Sequence, residues 1–259
     1  MKNKIISTED LNKYIEYRNN HITINNISIN ELSDETFKNI DKENVESIAL
    51  LDITTNKIGE NIFQGFKNLE RLFILIDNEI TFPDSLFKGL ENLQYLNLSG
   101  CCIKNLNSNL FFNLNKLKSL DLQKNSIEAL DKDSFENLRN LEDLDLSGNI
   151  IKAIDRKTFE NLSNLNYLNL SNNRLEHLEE RTFCNLKSLE CLILSYNRIH
   201  TIQDDLFNGL SPECDIIIKD NMIREINTNV LNKYKMPNYS LGNMFCASTW
   251  IRNKKKSIL

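Results

Sequence analysis

Phenylalanine recurs at positions 37, 63, 87, 111, 135, 159, 183 and 207, with one step of 26 residues followed by six of 24. These eight are most of the thirteen phenylalanines in the 259-residue chain. A leucine column keeps the same step through Leu69, Leu93, Leu117, Leu141, Leu165 and Leu189. Self-similarity at a fixed period marks a repeat architecture, in which each unit buries its apolar face only by stacking on its neighbours. Counting outward gives nine units, beginning at residues 19, 45, 69, 93, 117, 141, 165, 189 and 213. The first is two residues longer than the rest, and the last replaces the phenylalanine with Leu231.

The columns dictate local structure. The clearest unit reads Leu141, Leu144, Leu146, Asn149, Ile151, Ile154, Phe159, Leu162. Its opening has period two, so Leu144 and Leu146 point one way while Asp143 and Asp145 point the other. That is one short strand per unit, expected near 71–75, 95–99, 119–123, 143–147, 167–171 and 191–195. Stacked units place these strands ~4.8 Å apart in a parallel sheet. At the ninth position the backbone leaves the strand and its buried polar groups need partners. Asn125, Asn149, Asn173, Asn197 and Asn221 supply donors and acceptors there, and Cys101 takes the same place one unit earlier. The aromatic half of each unit closes the opposite side. Asparagine is abundant, about 40 residues, and this column accounts for part of the excess.

These residues resemble the leucine-rich repeat family, and specifically its 24-residue typical class, over about residues 19–236. The resemblance implies an α/β repeat solenoid, a right-handed horseshoe of nine coils. Its concave face would be a parallel sheet and its convex side irregular or short-helical. Members of the typical class are mostly extracellular proteins or receptor ectodomains with cysteine-rich caps. This chain shows no N-terminal cysteine cap. Leu241 to Cys246, with Trp250 and Ile251, resembles a truncated C-terminal flanking cap.

The division expected from the sequence is an N-terminal capping segment at 1–18, the solenoid at 19–236, and a C-terminal cap with a basic tail at 237–259. Residues 7–17 are expected to form a short helix covering the first coil, with Ser7 and Asp10 spaced as a capping box and Leu11, Tyr14 and Ile15 on one face. Met244, Phe245, Trp250 and Ile251 are expected to close the last coil, with a solvated tail beyond.

Composition excludes several classes. The net charge of −5 does not suit nucleic acid, which is bound through clustered basic surface. The last eight residues hold Arg252, Lys254, Lys255 and Lys256 and no acid, so the rest of the chain carries −9. No apolar run approaches the ~20 residues of a membrane helix. The segment Met1 to Asp10 lacks the apolar core of a secretory signal. The six cysteines (101, 102, 184, 191, 214 and 246) form no metal-binding spacing and are expected to be thiols. Cys191 and Cys214 fall on neighbouring strands, one register position apart. His21, His177 and His200 are isolated in sequence.

No nucleophile elbow, phosphate loop or HExxH motif occurs, and only ~23 residues follow the last coil, so neither a catalytic residue nor a cofactor or metal site is expected. Acceptor patterns for N-glycans at Asn26, Asn97, Asn161, Asn169 and Asn238 are expected by chance in so asparagine-rich a chain. Ser257-Ile258-Leu259 matches a short C-terminal peptide pattern read by PDZ domains, as many chains do.

What remains is a recognition surface. The concave strands present Tyr95, Asn97, Asp121, Glu142, Asp143, Asp145, Tyr167 and Asn169 in the middle coils. Leu51, Phe73, Leu75 and Ile76 lie on the early coils, and Cys191, Ile193, Tyr196 and Ile217 on the late ones. The expected function is a non-catalytic, monomeric module binding a protein partner, with a basic segment, on that face inside the cell. A secreted or cell-surface recognition protein is the alternative, and an enzyme subunit a third.

Overall fold

The structure is a computed structural model that describes residues 5–7, 10–107, 109–226 and 228–234. Nine parallel strands follow one another in chain order along one sheet: His21–Leu32, Ser47–Ile58, Arg71–Ile76, Tyr95–Asn97, Ser119–Asp121, Asp143–Asp145, Tyr167–Asn169, Cys191–Ile193 and Asp215–Ile217. The chain is a solenoid of about nine turns with almost no helix. Register is kept by the leucines: Leu144 stands between Leu120 and Leu168, and every strand start matches the 24-residue column. The short strands end two residues earlier than the sequence implies. Backbone bonds between coils nevertheless continue past them, as from the Leu98 N–H to the Asp121 carbonyl at 2.8 Å.

The phenylalanines stack into a continuous spine on the opposite side. Ring centroids from Phe37 to Phe207 are 6.2–6.5 Å apart, and neighbouring planes from Phe63 onward tilt by only 7–17°. Paired strands lie ~4.8 Å apart. Each coil is therefore wider at the ring than at the strand, and the mismatch curves the stack with the sheet on its inner side. Tyr234 continues the spine, its ring 5.8 Å from that of Phe207 and its hydroxyl donating to the Phe207 carbonyl. A short α-helix, Thr228–Lys233, brings it there.

The asparagine column forms a buried ladder. Asn149 Nδ2 donates to the carbonyls of Leu122 and Leu146, and its Oδ1 accepts the Ile127 N–H, all at 3.0 Å. Asn125, Asn173, Asn197 and Asn221 repeat this pattern. Cys101 substitutes in part: its thiol donates to the Ile74 carbonyl at 3.0 Å, the place Asn125 fills for Leu98. Burial pushes the Cys101 thiol up to about 12. A second asparagine column, one residue before the leucine that opens each unit, is exposed. Asn68, Asn92, Asn140 and Asn164 each donate to a carbonyl 25 residues back, at 2.7–2.9 Å.

The N-terminus departs from the expected helix. Ile5–Ile6 pairs in parallel with Ser28 and Ile29, Leu11–Tyr14 forms a single 3-10 turn, and Ile15–Arg18 runs antiparallel to His21–Ile24. Asn19 and Asn20, at φ 49° and 66°, make the two-residue hairpin turn. Positive φ at both central positions is what that turn demands, and asparagine tolerates it. The Ser7–Asp10 contact forms, with the Asp10 N–H donating to Ser7 Oγ at 3.2 Å, but it opens no helix. Leu11 still closes the first coil, 1% exposed. Met244, Phe245, Trp250, Ile251, the basic tail and Ser257-Ile258-Leu259 lie outside the described residues.

Candidate functional site

On the inner face, the third-position side chains run Tyr95, Ser119, Asp143, Tyr167 and Cys191, each opposite the next across paired strands. The fifth-position row is Asn97, Asp121, Asp145, Asn169 and Ile193. The structure thus brings the sequence-predicted residues into two adjacent rows, with Glu142 beside them. Lys118 Nζ lies 4.0 Å from Glu142 Oε1.

The fifth-position residues also shape the backbone. Oδ1 of Asn97, Asp121, Asp145 and Asn169 accepts the N–H two residues on, at 2.8–3.0 Å. Asn97 Nδ2 donates to Asp121 Oδ2 at 3.1 Å, and Asn169 Nδ2 donates to Asp145 Oδ2 at 3.2 Å. Two carboxylates thus sit side by side between two amides. Each turn that follows needs a left-handed residue at the eighth position. Asn26, Asp52, Gly100, Lys124, Gly148, Asn172, Tyr196 and Asp220 all take φ between 52° and 71°. Only the coil opening at Leu69 breaks the series. There the strand continues with strict alternation and turns Ile76 into the core, correcting its assignment to the inner face.

Burial is uneven along the face. Tyr95 is half-buried, with the Arg71 guanidinium 5.5 Å from its ring centroid. Tyr167, the same column three coils later, is 3% exposed and joins Cys191, Ile193 and Ile217 in an apolar cluster separate from the main core. Asp143 is 9% exposed and Asp145 half-buried, so neither is the fully solvated face that strand alternation implies. Burial raises the Asp145 carboxyl above its ordinary range; the Ser147 and Asn169 hydrogen bonds oppose this and Asp121 adds to it. Burial likewise raises the Tyr167 phenol, reinforced by Asp145.

Some features combine residues that sequence reading left apart. Arg71 joins the site through Tyr95. His177 and His200, on consecutive coils, lie with ring centroids 6.2 Å apart on the connecting stretches. Cys191 stands opposite Asp215, whereas Cys214 points into the core, so the sheet separates the two sulfurs. Among the described residues no three metal-ligating side chains cluster, and no helix is long and apolar enough to cross a membrane.

Family comparison agrees with this geometry. A leucine rich repeat model matches residues 75–126, 101–151, 116–161 and 139–199. Residues 75–199 are leucine-rich repeats. No curated protein matches this leucine-rich repeat chain. Among solved structures it is similar to TLR13 in the TLR13–ssRNA13 complex, with 26% identity and a TM-score of 0.70. It is similar in fold to the Toll–Spatzle complex of Drosophila, with 18% identity and a TM-score of 0.66. These matches cover 78% and 89% of this chain, which spans only 30% and 38% of the matched chains. These neighbours share the solenoid build of this chain.

Proposed function

We infer that the chain binds a protein partner through the inner face of its middle coils, without catalysing a reaction. The observation that carries this is the juxtaposition of Tyr95 and Tyr167 with Asp121, Asp143 and Asp145. Tyrosines give large, rigid contact area and are enriched among interface hot spots. Neighbouring carboxylates repel, and a Lys- or Arg-bearing segment relieves that repulsion on docking. TLR13 is described in complex with single-stranded RNA, but phosphates would meet like charge here, so the acidic row supports a basic peptide segment instead.

The thiols at Cys101, Cys102 and Cys184 support a reducing, intracellular location. A cell-surface or secreted setting is the second reading, supported by the similarity to Toll and TLR13. Affinity capture from the native host, with Tyr95→Ala/Asp121→Asn as the control bait, tests the binding reading. A captured protein equally retained by both baits overturns it. Fractionation of the native cells decides between the two locations.

A further inference from the structure

The long sheet has an open edge at its first coil. Ile15–Arg18 pairs with His21–Ile24 on one side, and among the described residues no strand pairs with its other side. Of the six large hydrophobic side chains exposed among the described residues, three (Ile5, Tyr14 and Tyr17) belong to the segments lining this end. An uncovered edge offers its unpaired N–H and C=O groups to another strand. We propose that the occupant is a second copy of this chain: two copies pair antiparallel through Ile15–Arg18 about a twofold axis at Tyr17, in place of the monomer expected from the sequence.

Backbone and side chains select the same register. The two-residue turn makes Arg18 and His21 the first bonded pair of the hairpin, and bonded pairs alternate along it, so Glu16 bonds Thr23. The N–H and C=O groups of Ile15 and Tyr17 therefore point outward. With the two Tyr17 residues opposite each other, each donates its N–H to the other's carbonyl. That register also sets Glu16 opposite Arg18 of the second copy, and Arg18 opposite its Glu16. These are non-bonded pairs, the kind whose Cα atoms lie only ~4.5 Å apart. Opposite charges across paired strands attract and like charges repel. Moving the axis by one residue either way would set Glu16 against Glu16 or Arg18 against Arg18. Charges that would blunt a lone edge are thus self-complementary here. Tyr17, 42% exposed and on the same face as buried Ile22, brings its ring to the axis. A twofold axis normal to the sheet leaves both inner faces on one side, so the pair presents two copies of that face to a multivalent partner. Four residues a side bury much less than the ~1,600 Å² of a standard interface, so the dimer is weak, with a Kd on the order of 100 µM expected.

Sedimentation equilibrium of the full chain between about 5 and 500 µM should show the mass rising from 30.2 kDa toward twice that value. Glu16→Arg and Arg18→Glu should each weaken the dimer about tenfold, since the twofold axis doubles every change of sign. The double exchange Glu16→Arg/Arg18→Glu should restore it, because the pair is remade with its charges swapped. Circular dichroism checks that each variant is folded, as expected for exposed positions. A mass that stays at 30.2 kDa over the whole range overturns the proposal. A dimer that the single reversals leave unchanged, or that the double exchange fails to restore, overturns it too, because the contact then lies elsewhere on the solenoid.

Discussion

Asn149 Oδ1 accepts the backbone N–H of Ile127, 22 residues earlier, at 3.0 Å in a fully buried setting. Asn149→Ala strands that N–H and takes one of two donors from the carbonyls of Leu122 and Leu146, which keep Asn125 and Asn173. A loss of about 1–3 kcal/mol is expected, the cost of one unsatisfied buried group. Asn140→Ala, in the exposed column, should cost less than ~1 kcal/mol because water replaces its bond. Urea melts of the two variants check this, and similar losses would undo the distinction between the ladders.

Phe159→Ala should cost ~3–5 kcal/mol, as it opens a void between Phe135 and Phe183 in the spine. Phe112→Ala, next in sequence to spine residue Phe111 but 58% exposed, should stay within ~0.5 kcal/mol of wild type. Equal shifts in denaturant midpoint would mean the spine is not continuous.

Lys124 and Tyr196 hold the left-handed turn at φ 55° and 58°. A side chain there costs ~1–2 kcal/mol against glycine, partly offset by the freedom glycine has when unfolded. Lys124→Gly is expected to raise stability by up to ~1 kcal/mol, and Gly148→Ala to lower it by a similar amount. Thermal melts of the pair should move in opposite directions.

Asp145 gives a pH signature. Its carboxyl is raised in the folded state, so it favours the folded chain when protonated and penalises it when ionised. The penalty is present at neutral pH and disappears as pH falls through the raised value toward the ordinary ~3.9. Asp145→Asn, which copies the amide of Asn97 and Asn169 in the same column, should therefore compare better with wild type at pH 7 than near pH 4. Urea melts at the two pH values that give the same difference would contradict the burial of this carboxyl.

For the binding face, association with a basic partner should slow as salt rises, and slow further in Asp143→Asn/Asp145→Asn. Stopped-flow rates insensitive to both would move the contact elsewhere on the solenoid.

The repeat, the strand positions and the buried asparagines were legible because the core demands the same residue type every turn. The eighth position was not. Its constraint is on φ, and glycine, lysine, asparagine, tyrosine and aspartate all satisfy it, so no residue column appears. The exposed asparagine ladder does leave a column, at 68, 92, 140 and 164, but Lys116 interrupts it and general asparagine richness hides it. At the N-terminus, Leu11, Tyr14 and Ile15 fit a helical face, yet the Asn19-Asn20 turn let Ile15–Arg18 pair with the open sheet edge, where more backbone bonds could be made. On the inner face, the residues were legible but their burial was not, because alternation along one strand is silent about what lies above it.

The rings, the ladder and the strand all bond to the coil before and the coil after by the same geometry. A copying error that duplicates or deletes one whole turn in frame would leave every remaining contact with an identical partner. The 26-residue first unit adds that its surplus is absorbed outside the strand, whose register with the next unit is unbroken at its start. Such a chain can change the size of its inner face in evolution by whole turns, lengthening or shortening its reach without refolding its core.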